Sequence, residues 1–134
     1  MISELTIQTR SRGLHEVTRQ VHAVVQSAAL SEGLCTLFIR HTSASLTIQE
    51  NADPSAQHDL EAWLNRLVPE IDPLYTHDAE GPDDMPAHVK AVLTATSLSI
   101  PIVAGSLALG RWQGVYVWEH RLAPHARQVV VHIA

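Results

Sequence analysis

The run Gly114-Val115-Tyr116-Val117-Trp118-Glu119-His120-Arg121 carries four consecutive apolar side chains and ends on three polar ones. A period of two puts Tyr116, Trp118 and His120 on one face of a strand and Val115, Val117 and Glu119 on the other. One of Glu119 and His120 therefore points where Val117 or Trp118 points, toward buried space, unless the strand end reaches solvent. A buried Glu needs a partner and a buried His at least one hydrogen bond.

Outward from this strand, the rest of the C-terminal third also reads as β, over 98–103, 107–109 and 128–133, with connections at 111–114 and 122–126. Toward the N-terminus, residues 2–8 alternate weakly and form an opening strand, followed by a turn at 10–13. Val17, Val21, Val24, Val25 and Ala28 fall at helical spacing and predict an amphipathic helix ending near Ser31-Glu32-Gly33. Residues 34–39 read as a buried strand and 46–48 as a half-buried one. Asp53-Pro54 starts a helix, Asp as N-cap and Pro at the first position, with Leu60, Trp63, Leu64 and Leu67 as its apolar stripe. A loop spans 69–84, and a second Pro-initiated helix places Val89, Val92, Leu93 and Thr96 on one face. The order β, α, β, β, α, α and four more β predicts an α+β domain over residues 1–134, antiparallel sheets with helices packed on one side.

Composition narrows the function classes. Of 134 residues, 46% are hydrophobic and 17% charged, the balance of a globular chain. A net charge of −5 leaves no basic surface for a nucleic-acid backbone. No apolar run approaches a membrane span of about twenty residues, and no basic-then-apolar leader is visible, so the expectation is a cytoplasmic protein with neither nucleic acid nor membrane as partner. The single cysteine, Cys35, lies in an apolar run and packs as a small hydrophobe.

Polar chemistry concentrates in four places. The run His77-Asp78-Ala79-Glu80-Gly81-Pro82-Asp83-Asp84-Met85-Pro86-Ala87-His88 carries two histidines and four acidic side chains. His77, His88 and Asp84 can converge on a divalent metal, or the run can be a solvated acidic loop. Glu119-His120-Arg121 is the second place. Arg40-His41-Thr42-Ser43-Ala44-Ser45 can hold a phosphate through hydroxyls and one guanidinium, or can be a turn whose hydroxyls bond their own backbone. Gln49-Glu50-Asn51-Ala52-Asp53 is the fourth, although Asp53 already has work as an N-cap. No Gly-Xaa-Ser-Xaa-Gly elbow, Cys–His pair or dinucleotide fingerprint occurs.

In combination, Ser11-Arg12-Gly13-Leu14-His15, the stretch from His41 to Thr47, Asp53-Pro54, His58-Asp59, Glu80-Gly81 through His88-Val89-Lys90, Leu109-Gly110, Trp112-Gln113-Gly114 and Glu119-His120-Arg121 resemble the YjbQ-like family, in order and over nearly the whole chain. The resemblance implies a compact β-sandwich-like α+β fold and a homotrimer with sites near subunit interfaces. It also implies a weak or secondary thiamine-phosphate synthase activity, joining an aminopyrimidine pyrophosphate to a thiazole phosphate. Two positions depart from the pattern. Arg111 stands where the family has Thr, and Ala52 where it often has Cys.

The resulting expectation is a metal and phosphate site. His77, His88 and His120 would hold zinc or magnesium; Asp84, Glu119 and His41 would act as catalytic or orienting groups. Thr42, Ser43, Ser45, Gln113 and Arg121 would meet a small phosphorylated substrate. A metal-dependent hydrolase and a non-catalytic trimer that binds a metal or an anion use the same residues and stand as alternatives.

Overall fold

The computed structural model describes residues 1–134 and contains two antiparallel sheets and three helices. The elements are β1 (Ile2–Thr9), β2 (Gly13–Glu16), α1 (Thr18–Ala28), β3 (Glu32–Ile39), β4 (Ala44–Glu50), α2 (Pro54–Leu67), α3 (Asp84–Leu93), β5 (Ser97–Val103), β6 (Ser106–Leu107), β7 (Gln113–Glu119) and β8 (His125–Ile133). One sheet runs β1-β8-β3-β5-β6 and the other β2-β7-β4. No helix is long and apolar enough to cross a membrane.

The main core lies between the sheets. Ile7, Cys35, Leu37, Ile39, Val129, Val131 and Ile133 face Leu46, Val115 and Val117, and α1 closes this layer with Val21, Val24 and Val25. A smaller cluster covers the other face of the three-stranded sheet, where Leu64 and Val68 at the end of α2 pack on Leu14, Tyr116 and Trp118. β7 is thus sandwiched on both faces, which places its two terminal polar residues in opposite interiors. Both Glu119 and His120 are buried, at 0% and 1% exposure. The solvent alternative for this strand end is excluded.

Two local expectations shift and one holds. Residues 13–16 form β2, an edge strand on β7 (Gly13 opposite Glu119), where a turn was expected to end. Gly13 sits at φ +134°, and a Cβ there would meet the Glu61 carboxylate, which accepts the Leu14 amide at 2.7 Å. α2 starts as expected, with Asp53 Oδ1 accepting the Ser55 amide at 2.9 Å. α3 differs most. It begins at Asp84, two residues before the proline, and buries Asp84, Pro86, Ala87 and Lys90, while Val92 and Leu93 are exposed. Polar contacts, rather than the apolar residues, set how this helix is rotated.

Candidate metal centre

The first turn of α3 puts Asp84 and His88 four residues apart on one face, and the loop before it brings His77 back onto them. Asp84 Oδ2 lies 2.8 Å from His77 Nε2 and 3.4 Å from His88 Nε2. One atom from each of these three residues falls within 4.8 Å of the others. The two imidazoles meet edge to face, with centroids 5.3 Å apart.

Two of the three members are held from behind. His88 Nδ1 lies 3.1 Å from the Thr42 carbonyl; donating its proton there leaves the Nε2 lone pair aimed at the cluster. Asp84 is 2% exposed, and its other oxygen, Oδ1, accepts Arg121 Nη1 at 2.7 Å. Arg121 also donates from Nε to Asp83 Oδ2 (3.0 Å) and from Nη2 to the Glu80 carbonyl (2.8 Å), so one guanidinium pins three points of the loop. Burial works to raise the Asp83 pKa, but the Leu122 amide and Arg121 outweigh it and hold the carboxyl below its ordinary value. Two imidazole nitrogens and one carboxylate oxygen, the latter buried and oriented, fit a transition-metal ion with a position left open. Magnesium, which prefers an all-oxygen shell, fits poorly.

His120, expected as the third imidazole ligand, stands outside this cluster. It points into the layer beneath α2 and α3, where Nε2 pairs with Ser45 Oγ at 2.9 Å and the ring packs against Trp118. Nδ1 is the one buried side-chain nitrogen or oxygen without a hydrogen-bond partner. Burial first, then the charge of Lys90, push its pKa down to about 3, so the ring is neutral.

Glu119, expected as a base or an orienting carboxylate, is spent elsewhere. Arg127 donates to it from Nε and Nη2, Thr9 Oγ1 donates to Oε1, and the Arg121 amide to Oε2. Burial opposes ionisation, yet these hydrogen bonds hold the pKa of Glu119 below the ordinary value. The same network consumes the expected phosphate hydroxyls. Ser43 Oγ accepts Arg127 Nη2 at 2.9 Å, Ser45 is tied to His120, and Gln113 Oε1 accepts the Gly110 amide at 2.7 Å in its own turn. Arg121 is committed to Asp83 and Asp84. Of the three hydroxyls only that of Thr42 is exposed, and what this residue gives the cluster is its carbonyl.

His41 bridges the two regions. Its Nε2 accepts the Gln128 amide at 2.8 Å and Nδ1 lies 3.3 Å from Arg127 Nη1; burial and then the Arg127 charge lower its pKa. It lines a groove of about 410 Å³ together with Thr42, His88, Ala91, Val92, Thr94 and Thr96, so His88 belongs to both the cluster and the groove. His41 is placed where it can meet whatever enters beside the cluster.

Several of these residues escaped the sequence reading. Arg127 shares the inward period of Val129, Val131 and Ile133, and Thr9 that of Ile7, so extending both strands by one residue would have exposed them as partners for Glu119. Asp83, paired with Arg121, carried no signal beyond its membership of an acidic run. Of the two departures, Arg111 is exposed and stacks on Trp112, 4.9 Å from its ring centre.

Comparison with known proteins follows the same outline. The model of the family described as UPF0047 protein YjbQ-like matches residues 3–134. A UPF0047 protein of Synechocystis sp. is 54% identical over 97% of this chain and 88% of its own length. The YjbQ protein of Escherichia coli O157:H7 is 41% identical over 94% and 91%. Among solved structures, a conserved hypothetical protein of Thermus thermophilus superposes with a TM-score of 0.87 at 36% identity, covering 98% of this chain and 99% of that one. An uncharacterised YjbQ/UPF0047 protein of Clostridium acetobutylicum gives 0.87 at 34%, covering 100% and 99%. These relatives are described by family or as hypothetical proteins, and the family is one of uncharacterised function. The expected thiamine-phosphate synthase activity, a transferase reaction, is therefore overturned: the resemblance carries a fold and a set of residues, and no reaction.

Proposed function

This chain belongs to the UPF0047 family of YjbQ-like proteins, and on that footing we propose that it is a metal-binding protein whose His77, Asp84 and His88 hold one divalent transition-metal ion. The observation that carries the reading is the convergence of His77 Nε2, His88 Nε2 and Asp84 Oδ2 within 4.8 Å. The Thr42 carbonyl and Arg121 supply the supporting contacts that such ligands characteristically have. With three protein ligands, the ion keeps a position for water or a small molecule, and the His41–Thr42 groove lies beside His88 to receive it. The experiment is calorimetric titration of chelator-treated protein with zinc, manganese and iron(II). One ion per chain in the wild type and none in a His77→Ala/His88→Ala double variant supports the reading; equal binding by both proteins ends it.

We further propose self-association, with the homotrimer of the family resemblance as the expected form. The face of the five-stranded sheet turned away from the core bears Ile2, Leu34 and Phe38, all exposed, with Phe38 paired to Val130 and Leu34 to Pro101. Exposed apolar side chains among polar ones such as the Glu4–Arg40 pair support a contact between copies. Light scattering on wild type and Phe38→Glu checks it, and a monomeric wild type rejects it.

A further inference from the structure

On the far side of α3 from the histidines, Lys90 is 2% exposed and forms the floor of a cavity of about 480 Å³. Its Nζ makes one hydrogen bond, to Asn65 Oδ1 at 2.7 Å. No carboxylate lies within 4 Å of it, although an ammonium has three donors and such a burial normally requires a counter-charge. Arg12 lines the same cavity and is matched by Glu70 at 2.6 Å, which leaves the lining with one uncompensated positive charge. Val68 and Ile71 complete the wall with apolar surface.

We propose that this cavity is a binding site for a small oxyanion, a carboxylate or phosphate group that sits on Lys90 Nζ. The anion supplies in direct contact the counter-charge that Glu70 and Asp83 offer only from beyond 4 Å, and takes the two free ammonium donors. Arg12 stands at the cavity wall as a second cation, held back by Glu70. Val68 and Ile71 give an apolar body attached to the anion a surface to rest on. The site shares no side chain with the His77–Asp84–His88 cluster, so it stands or falls independently of the metal reading.

The test is calorimetry on the full chain with inorganic phosphate and, separately, acetate as probes, in a buffer free of both. Saturable binding of either at one site per chain is expected, with the stronger of the two naming the preferred group. Lys90→Met keeps the length of the side chain and removes its charge; binding should weaken at least about tenfold while zinc stoichiometry is unchanged. Glu70→Gln frees Arg12 and should tighten binding. Amide chemical-shift changes in the wild type should concentrate at Arg12, Asn65, Glu70 and Lys90, a readout that holds even if Lys90→Met does not fold. Absence of saturable binding in the wild type, equal affinity in Lys90→Met, or shifts confined to His77, Asp84 and His88 would overturn the proposal.

Discussion

Two clusters in this molecule are built from the same residue types, and they do opposite things with their lone pairs. At the start of α3, the polar atoms of His77, Asp84 and His88 face one another near the surface, His77 Nε2 donating to Asp84 Oδ2 a proton that a metal ion would replace, with Arg121 and the Thr42 carbonyl bracing Asp84 and His88 from the rear. At the end of β7, Glu119 and His120 are fully buried, and every oxygen of Glu119 is already taken by Arg127, Thr9 or the Arg121 amide. A carboxylate held on both oxygens by buried cationic and backbone donors braces a fold; Asp84 shares Oδ2 only with imidazole, whose proton a metal ion can displace. The difference lies in neighbours rather than in the residues themselves.

The largest effect expected from breaking this contrast is on the buried side. Arg127→Met leaves Glu119 charged and unpaired in the interior and should cost about 3–5 kcal/mol of stability by chemical denaturation. A loss below about 1 kcal/mol would mean that Glu119 escapes to solvent or takes a proton. On the open side the order reverses. Asp84→Asn should weaken metal binding by on the order of 100-fold or more, because it removes an anionic ligand, and should change the stability of metal-free protein far less. Arg121→Ala touches the same carboxylate only through Oδ1, so the expected loss in metal affinity is about 10–100-fold. An equal loss in both variants would show that Arg121 fixes the whole loop and does more than orient one side chain.

The pH dependence separates the clusters more finely. The folded pKa of His120, about 3, lies below the ordinary value of 6.5. Between those values the unfolded chain binds a proton that the folded chain refuses, so the stability contributed by neutral His120 is complete above pH 6.5 and drains away as pH falls toward 3. Glu119, also held below its ordinary value, adds to the loss in the same direction at the acid end. Equilibrium unfolding from about pH 7 to 4 should therefore show falling stability, and His120→Gln should flatten that slope. An unchanged slope would place the proton uptake elsewhere. The smallest effect is expected at Arg111→Ala, an exposed guanidinium stacked on Trp112, worth at most about 1 kcal/mol of stability and nothing in metal affinity.

Much of the fold could be read from the sequence because period and punctuation are local signals. The apolar run of β7, the Asp53-Pro54 cap and the α1 stripe all became the elements they predict. His77, Asp84 and His88 were legible for the same reason, being gathered in one short run. His120 was misplaced because a strand's period says that a side chain points inward but not into which interior. The Glu119–Arg127 pair joins β7 to the far end of β8, and Lys90 meets Asn65 across two helices; such partners depend on tertiary packing, to which local pattern is blind. α3 shows the cost most plainly, since Val92 and Leu93 fit an apolar face, yet the helix turns Asp84 and Lys90 inward instead.

The most direct measurement is metal content per chain by elemental analysis of zinc-reconstituted, dialysed protein, for wild type, His88→Ala and His120→Gln side by side. The open cluster as the metal centre predicts close to one ion per chain in the wild type and in His120→Gln, and none in His88→Ala. Metal retained in His88→Ala and lost in His120→Gln would contradict it, and would move the centre to the buried end of β7.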